Sequence, residues 1–270
     1  MAVTACTTAD PTARRMTAER MASDAGWQRT IIATETFNIA AFRPTNLPHA
    51  TTLKIYIEGD GLAWLDSSTP SADPTPRTPL ALKLALRDPE RNAVYLARPC
   101  QFLQDDQRRN CQQRYWTSHR FAPEVIAASN TAIDVLKTES GASHLILIGY
   151  SGGGAVAALV AAQRHDVTAL VTIAGNLDHT AWTSGHHISP LSGSLNPADA
   201  TSRLQHIPQH HYVGQNDTNI SADIALGYAA RFKAPTPIVT VLPGFTHTCC
   251  WEEIWPRLVK TEFGLTGIAP

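Results

Sequence analysis

Three residues of the chain have the types and the spacing for nucleophilic chemistry: Ser151, Asp217 and His247. Ser151 is the centre of Gly149, Tyr150, Ser151, Gly152, Gly153, a GxSxG pentapeptide set between an apolar HLILI run and an alanine-rich GAVAALVAAQR run. A sharp turn from strand into helix forces its central residue into a strained conformation, and glycines two before and two after it relieve the crowding. The serine hydroxyl is then presented above the sheet, with the N-terminus of the next helix aimed at any oxyanion that develops there. Such a hydroxyl needs a base to take its proton, and the base needs a group to orient it. Asp217 closes the run HHYVGQND and His247 follows IVTVLPGFT, so the acid comes 66 residues after the serine and the histidine 30 residues after the acid. Each interval has room for a helix and a strand, and all three side chains would arrive at one sheet edge.

The elements that must position these residues read as alternating strands and helices. Strand-like runs occur at 30–37, 37–44, 53–61, 92–100, 144–151, 169–176, 210–217 and 237–244, the first two as an opening hairpin. Helical candidates lie between them at 80–87, 123–139, 153–164, 222–232 and 252–263. From 53 onward the strands are near-continuous apolar runs, the pattern of a parallel sheet covered by helices on both faces, so the fold class is α/β. Residues 1–25 are polar and small and are expected to be a flexible tail, with one domain over 26–270. Two long segments without periodicity, 62–79 and 176–207, follow strand C-termini, where open α/β sheets bind ligands. Trp64 and Trp182 on these segments, with Tyr150 beside the serine, are the expected substrate-binding residues.

Charge and cysteine content narrow the function classes. The 22 Lys plus Arg against 23 Asp plus Glu leave a net charge of −1, so no basic footprint for nucleic acid or an anionic membrane surface is present. The apolar stretch 143–162 is long enough to span a bilayer, but its glycines and its change from β-branched to alanine-rich residues read as strand, turn and helix. Val3, Thr4, Ala5, Cys6 resembles the end of a bacterial lipoprotein signal, without the apolar region that precedes the cysteine in such signals. Cys6 is therefore a possible membrane tether, with periplasmic or outer-membrane location expected in that case and cytoplasmic location otherwise. Cys100 and Cys111 enclose a short polar loop that a disulfide would suit, while Cys249 and Cys250 are adjacent and lack metal-ligand spacing.

The sequence also contains competing patterns. Asp178, in GNLDH, is the alternative acid for the histidine, and Asp217 is favoured because VGQND ends a strand. The pairs His186 with His187 and His210 with His211 point to opposite faces in an extended chain and have no carboxylate or cysteine at ligand spacing, so no metal is expected. Gly152, Gly154 and Ala157 satisfy a GxGxxA dinucleotide pattern, but several strands precede it, and it leaves Asp217 and His247 without a role.

Over residues 27–265 the chain resembles the α/β-hydrolase superfamily, and within it a group of bacterial serine hydrolases, often lipoproteins, sharing EGDG, ARPCQ, GYSGGG and HxCCW segments. The resemblance implies an eight-stranded, mostly parallel sheet, with Ser151 as nucleophile, His247 as general base and acid, and Asp217 as its orienting carboxylate. It also implies an oxyanion hole built from the Gly152 amide and one amide of the turn Glu58, Gly59, Asp60, Gly61. By position that amide is Asp60, with Gly61 as the alternative. Many relatives carry His-Gly where this chain has Glu58-Gly59, and acidic side chains beside an oxyanion hole need a partner, for which Arg98 or Arg114 is the candidate. The expected activity is hydrolysis of a small-molecule or lipid-like carboxylic ester through an acyl-enzyme, with no cofactor and no nucleic-acid partner. A thioesterase or peptidase with the same three residues, or a non-catalytic surface-tethered binding protein on this scaffold, are the alternatives.

Overall fold

Eight strands form one sheet in the order β1-β2-β4-β3-β5-β6-β7-β8. The structure, a computed structural model, describes residues 10–261. Strands β1 (Trp27–Ala33) and β2 (Asn38–Pro44) form the expected hairpin, and β2 also runs antiparallel to β4 (Ala93–Leu96). Every other pairing is parallel, through β3 (Thr52–Ile57), β5 (His144–Tyr150), β6 (Val167–Ile173), β7 (Gln209–Gly214) and β8 (Ile238–Leu242). Parallel strands need helical crossovers, and these supply the two covering layers.

One layer contains α3 (Pro123–Ser140), α4 (Gly152–Ala161) and α7 (Ala222–Ala229); the other contains α1 (Pro11–Asp24), α2 (Leu80–Leu86) and α8 (Trp251–Thr261). The period-two alternation of β3 divides its side chains between them: Leu53, Ile55 and Ile57 pack on the first layer and Tyr56 on the second. Tyr56 is fully buried, and its hydroxyl accepts from Trp255 Nε1 at 3.0 Å, which ties α8 to the centre of the sheet. All five predicted helices are present, with residues 262–263 of the last outside the described residues.

The N-terminal segment corrects the expectation of a flexible tail. Residues 11–24 form α1, started by Pro11 at its first position and by Asp10, whose Oδ1 accepts from the Thr12 amide at 3.0 Å. Its buried stripe is Arg14, Ala18 and Ala22, and Glu19 bridges to Arg29 of β1 at 2.7 Å. Two alanines and an arginine stem leave no apolar periodicity to recognise in sequence. Cys6, and with it the tether, lies outside the described residues. Segment 62–79 is irregular, as expected, whereas 176–207 is largely ordered into α5 (His179–Gly185), a 3₁₀ turn (Pro197–Asp199) and α6 (Thr201–Leu204). Among the described residues, no helix is long and apolar enough to cross a membrane.

Candidate active site

β5 ends at Tyr150 and α4 begins at Gly152, so Ser151 is the whole of the connection. Its φ of 53° with ψ of −122° is a conformation that a side chain adopts only under strain, and strain of this kind collects at functional sites. The glycines make it feasible. A Cβ on Gly149 would collide with the Gly153 carbonyl, and one on Gly153 with the carbonyls of Ile57 and Glu58.

The three residues singled out by sequence meet above the sheet. His247 Nε2 is 3.1 Å from Ser151 Oγ, and His247 Nδ1 is 2.8 Å from Asp217 Oδ2. Asp217 sits after β7, where its other oxygen accepts from the Asn219 and Ile220 amides at 2.8 and 2.9 Å. His247 sits after β8. Its carbonyl accepts from the Tyr150 hydroxyl at 3.3 Å and from Trp251 Nε1 at 3.2 Å, so the loop is pinned to both the elbow and α8. Cys249 and Cys250, on that loop, are disulfide-bonded to each other and linked by a cis peptide bond. Asp178, the competing acid, is occupied elsewhere: it caps α5 through the Thr180 and Ala181 amides, each at 3.1 Å, and pairs with Arg231 at 2.7 Å.

The turn after β3 approaches the elbow from the other side. A Cβ on Gly59 would lie 3.3 Å from Ser151 Cβ. The Gly59 amide is taken by Glu58 Oε1 at 2.9 Å, and the Gly59 carbonyl accepts from Gln101 Nε2 at 3.0 Å. In a trans peptide the next N–H points opposite to that carbonyl, so the Asp60 amide faces away from Gln101 and, among the described residues, has no hydrogen-bond partner. The Gly152 amide opens α4, where no preceding turn can accept from it.

Both acidic side chains of this turn have partners. Glu58 is fully buried and accepts from the Tyr95 hydroxyl at 3.2 Å; burial pushes its carboxyl up to about 7. Asp60 Oδ1 is 3.0 Å from Arg98 Nη1 and its Oδ2 is 2.7 Å from Arg120 Nη1. Burial raises the Asp60 pKa, but Arg120 and Arg98 outweigh it and hold the carboxyl below its ordinary value. Of the two candidate partners, Arg98 is therefore used. Arg114 bonds to the Tyr115 hydroxyl at 3.0 Å instead, and Arg120 takes its place. Nothing in the sequence marked Arg120, which lies in a polar stretch without motif or period.

An open cleft of about 940 Å³ lies over the serine, within the range of small-molecule sites. Trp64, Tyr150 and Trp182, the predicted binding residues, all line it, together with Leu62, Ile188 and Leu191. Trp64 is 41% exposed at the rim, while Trp182 donates from Nε1 to the Asn219 carbonyl at 3.0 Å. Two lining residues escaped notice in the sequence. Asn219 places Nδ2 3.2 Å from His247 Nε2, and Asn176, buried beside the elbow, bonds its amide to the Ser151 carbonyl at 3.0 Å.

The two histidines of β7 pack within the fold. His210 stacks on Tyr212 with ring centroids 4.1 Å apart, and His211 is buried against Tyr228, where burial drives its pKa down to about 3. Among the described residues, no group of three or more His, Cys, Asp or Glu could hold a metal ion. Cys100 and Cys111 are disulfide-bonded, with Cα atoms 5.6 Å apart.

Comparison with known proteins identifies the fold. No protein-family model matches the chain, and no curated protein matches it by sequence. Among solved structures it is similar to Est1E from Butyrivibrio proteoclasticus, with 16% identity, a TM-score of 0.61, and coverage of 90% of this chain and 99% of that one. A second form of Est1E, with ferulic acid bound, gives 15% identity and a TM-score of 0.64 over 89% of this chain and 100% of that one. An esterase of Pyrococcus furiosus matches at 14% identity and a TM-score of 0.60, covering 90% of this chain and 91% of its own. A puromycin-hydrolyzing peptidase of Mycobacterium tuberculosis matches at 13% identity and a TM-score of 0.58, over 87% of this chain but 38% of the peptidase. The chain has the α/β-hydrolase fold.

Proposed function

We propose that the protein is a serine hydrolase that cleaves a carboxylic ester of a small molecule. The observation that carries this reading is the continuous hydrogen-bonded line from Ser151 Oγ through both nitrogens of His247 to Asp217, on a strained elbow at the floor of an open cleft. Ser151 Oγ bonds to the ester carbonyl carbon as its proton passes to His247 Nε2, and Asp217 keeps the imidazole in the tautomer that leaves Nε2 free to accept. Negative charge moves onto the carbonyl oxygen, where the amides of Gly152 and Asp60 receive it. The tetrahedral adduct then collapses: the carbon–oxygen bond to the alcohol breaks, and His247 returns its proton to the departing oxygen. A water molecule repeats the sequence on the acyl-enzyme, giving the acid and free Ser151. The cycle uses no cofactor.

Esters are favoured as the substrate class because the similar structures that the chain spans over nine-tenths or more of their length include esterases, and one of those structures, Est1E, holds ferulic acid. The peptidase is matched over little more than a third of its length. The apolar lining by Leu62, Trp64, Ile188 and Leu191 suits an acyl chain or an aromatic acid. The test is hydrolysis of p-nitrophenyl esters from acetate to palmitate, with a ferulate ester added, by the wild type and by Ser151→Ala. The expected result is activity that peaks within the series and falls at least about a thousandfold in the variant. Equal rates in the two proteins would refute the reading.

A further inference from the structure

The turn that faces the nucleophile carries a carboxylate where an oxyanion site would be harmed by one. A Cβ added to Gly152 would collide with Asp60 Oδ1, so this anion sits directly against the start of α4, beside Ser151. Two cations enclose it. Arg98 is almost completely buried, and its Nη1 meets Oδ1 at 3.0 Å; Arg120 is also buried, and its Nη1 meets Oδ2 at 2.7 Å. The two arginines are themselves fixed. Arg98 Nη2 donates to the Arg120 carbonyl, and the Arg98 guanidinium lies 5.3 Å over the Phe121 ring. Arg120 Nε donates to the Thr117 carbonyl at 2.9 Å, and its guanidinium lies 5.6 Å from the Trp182 ring. The Arg98 amide donates to Gln101 Oε1 at 3.1 Å, and the same Gln101 side chain holds the Gly59 carbonyl, which directs the Asp60 amide.

Resting on the ester-hydrolase reading, we infer that Arg98 and Arg120 are positioning residues of the oxyanion site. They clamp the Asp60 carboxylate so that the Asp60 amide is presented to the substrate oxygen, and they convert a single negative charge beside that oxygen into a net positive cluster. The charge count is one carboxylate against two guanidiniums, and the low polarity of the surroundings makes it count for more than it would in water. The clamp acts on the transition state, in which the oxygen is charged, and hardly on the ground state, in which it is neutral.

This account makes a specific demand on paired variants. Arg120→Gln lowers the charge of the cluster from +1 to 0 and leaves Asp60 Oδ2 without its cation beside the developing oxyanion, so kcat is expected to fall about a hundredfold with KM within about threefold of the wild type. Adding Asp60→Asn removes the carboxylate and returns the cluster to a net charge of +1, carried by Arg98, and the double variant is expected to recover at least about tenfold in kcat over Arg120→Gln alone. A purely structural role moves the melting temperature and kcat together in both the single and the double variant, whereas the charge account moves kcat and the phosphonylation rate beyond any change in stability. The same comparison on Arg98→Gln, with and without Asp60→Asn, covers the case in which Arg120→Gln does not fold, and thermal melting identifies that case.

The experiment reads ester hydrolysis and the rate of Ser151 phosphonylation by a fluorophosphonate, in which the Oγ–P bond forms as fluoride leaves and the phosphonyl oxygen takes the charge. A wild type that is phosphonylated at Ser151, with rescue by Asp60→Asn in both assays, is the expected result. A phosphonylated wild type with no rescue, or a loss confined to KM, overturns the clamp and leaves the hydrolase reading intact. A wild type not phosphonylated at Ser151 overturns both.

Discussion

Asp217 divides its carboxylate between two tasks: Oδ2 meets His247 Nδ1 at 2.8 Å, while Oδ1 is held by the Asn219 and Ile220 amides. Both oxygens are satisfied, so the acid has one orientation, and that orientation selects the histidine tautomer with the proton on Nδ1. Asp217→Asn offers an N–H to Nδ1 and inverts this selection. It is expected to lower kcat about 10⁴-fold with little change in KM. Asp178→Ala is the control, because Asp178 caps α5 and pairs with the half-exposed Arg231. It is expected to cost about 1 kcal/mol of stability and to keep activity within a few-fold. Steady-state kinetics and urea melts of the two variants check this, and exchanged outcomes would reassign the acid.

Glu58 gives stability a pH dependence of defined sign. Burial lifts its carboxyl from 4.5 to about 7 in the folded protein. As pH rises through the unfolded value, the unfolded chain loses its proton while the folded chain keeps it until about 7. Stability is therefore lost across that window and the loss is complete above it. At about 1.4 kcal/mol for each unit, the loss is on the order of 3 kcal/mol. Glu58→Gln keeps an acceptor for the Gly59 amide and is expected to flatten the profile between pH 4.5 and 7. Denaturant melts of both proteins across this range measure it, and parallel slopes would contradict it.

The disulfide between Cys100 and Cys111 closes a short loop that begins two residues after Arg98 and contains Gln101. Loop-closure entropy for a separation of 11 residues is worth about 3 kcal/mol. The Cys100→Ala, Cys111→Ala double variant is expected to lose about that much, and reducing agent should destabilise the wild type more than this variant. Equal sensitivity of the two proteins to reductant would place the effect elsewhere.

Much of the site was legible because local chemistry announces it. The elbow needs glycines at fixed offsets from Ser151, and a base and an acid must follow strands that end at the same edge, which pointed to His247 and to Asp217, with Asp178 as the alternative acid. The parallel sheet was legible from its unbroken apolar strands. Helix α1 was not, since Ala18 and Ala22 bury little and present no stripe. Helix α5 was hidden inside a segment whose polar residues read as loop, although Asp178 at its start is a capping residue by type. Arg120, Asn176 and Asn219 reach the cleft only through tertiary packing, and no spacing in the sequence joins Arg120 to Asp60 across 60 residues.

The central claim is that Ser151 is a nucleophile activated by His247 and Asp217. Peptide mapping of the protein after reaction with a fluorophosphonate tests it most directly, with Ser151→Ala and Asp217→Asn in parallel. A single adduct on Ser151, absent from the first variant and formed far more slowly in the second, is the predicted result. An adduct on another residue, or an unmodified wild type, would contradict the account.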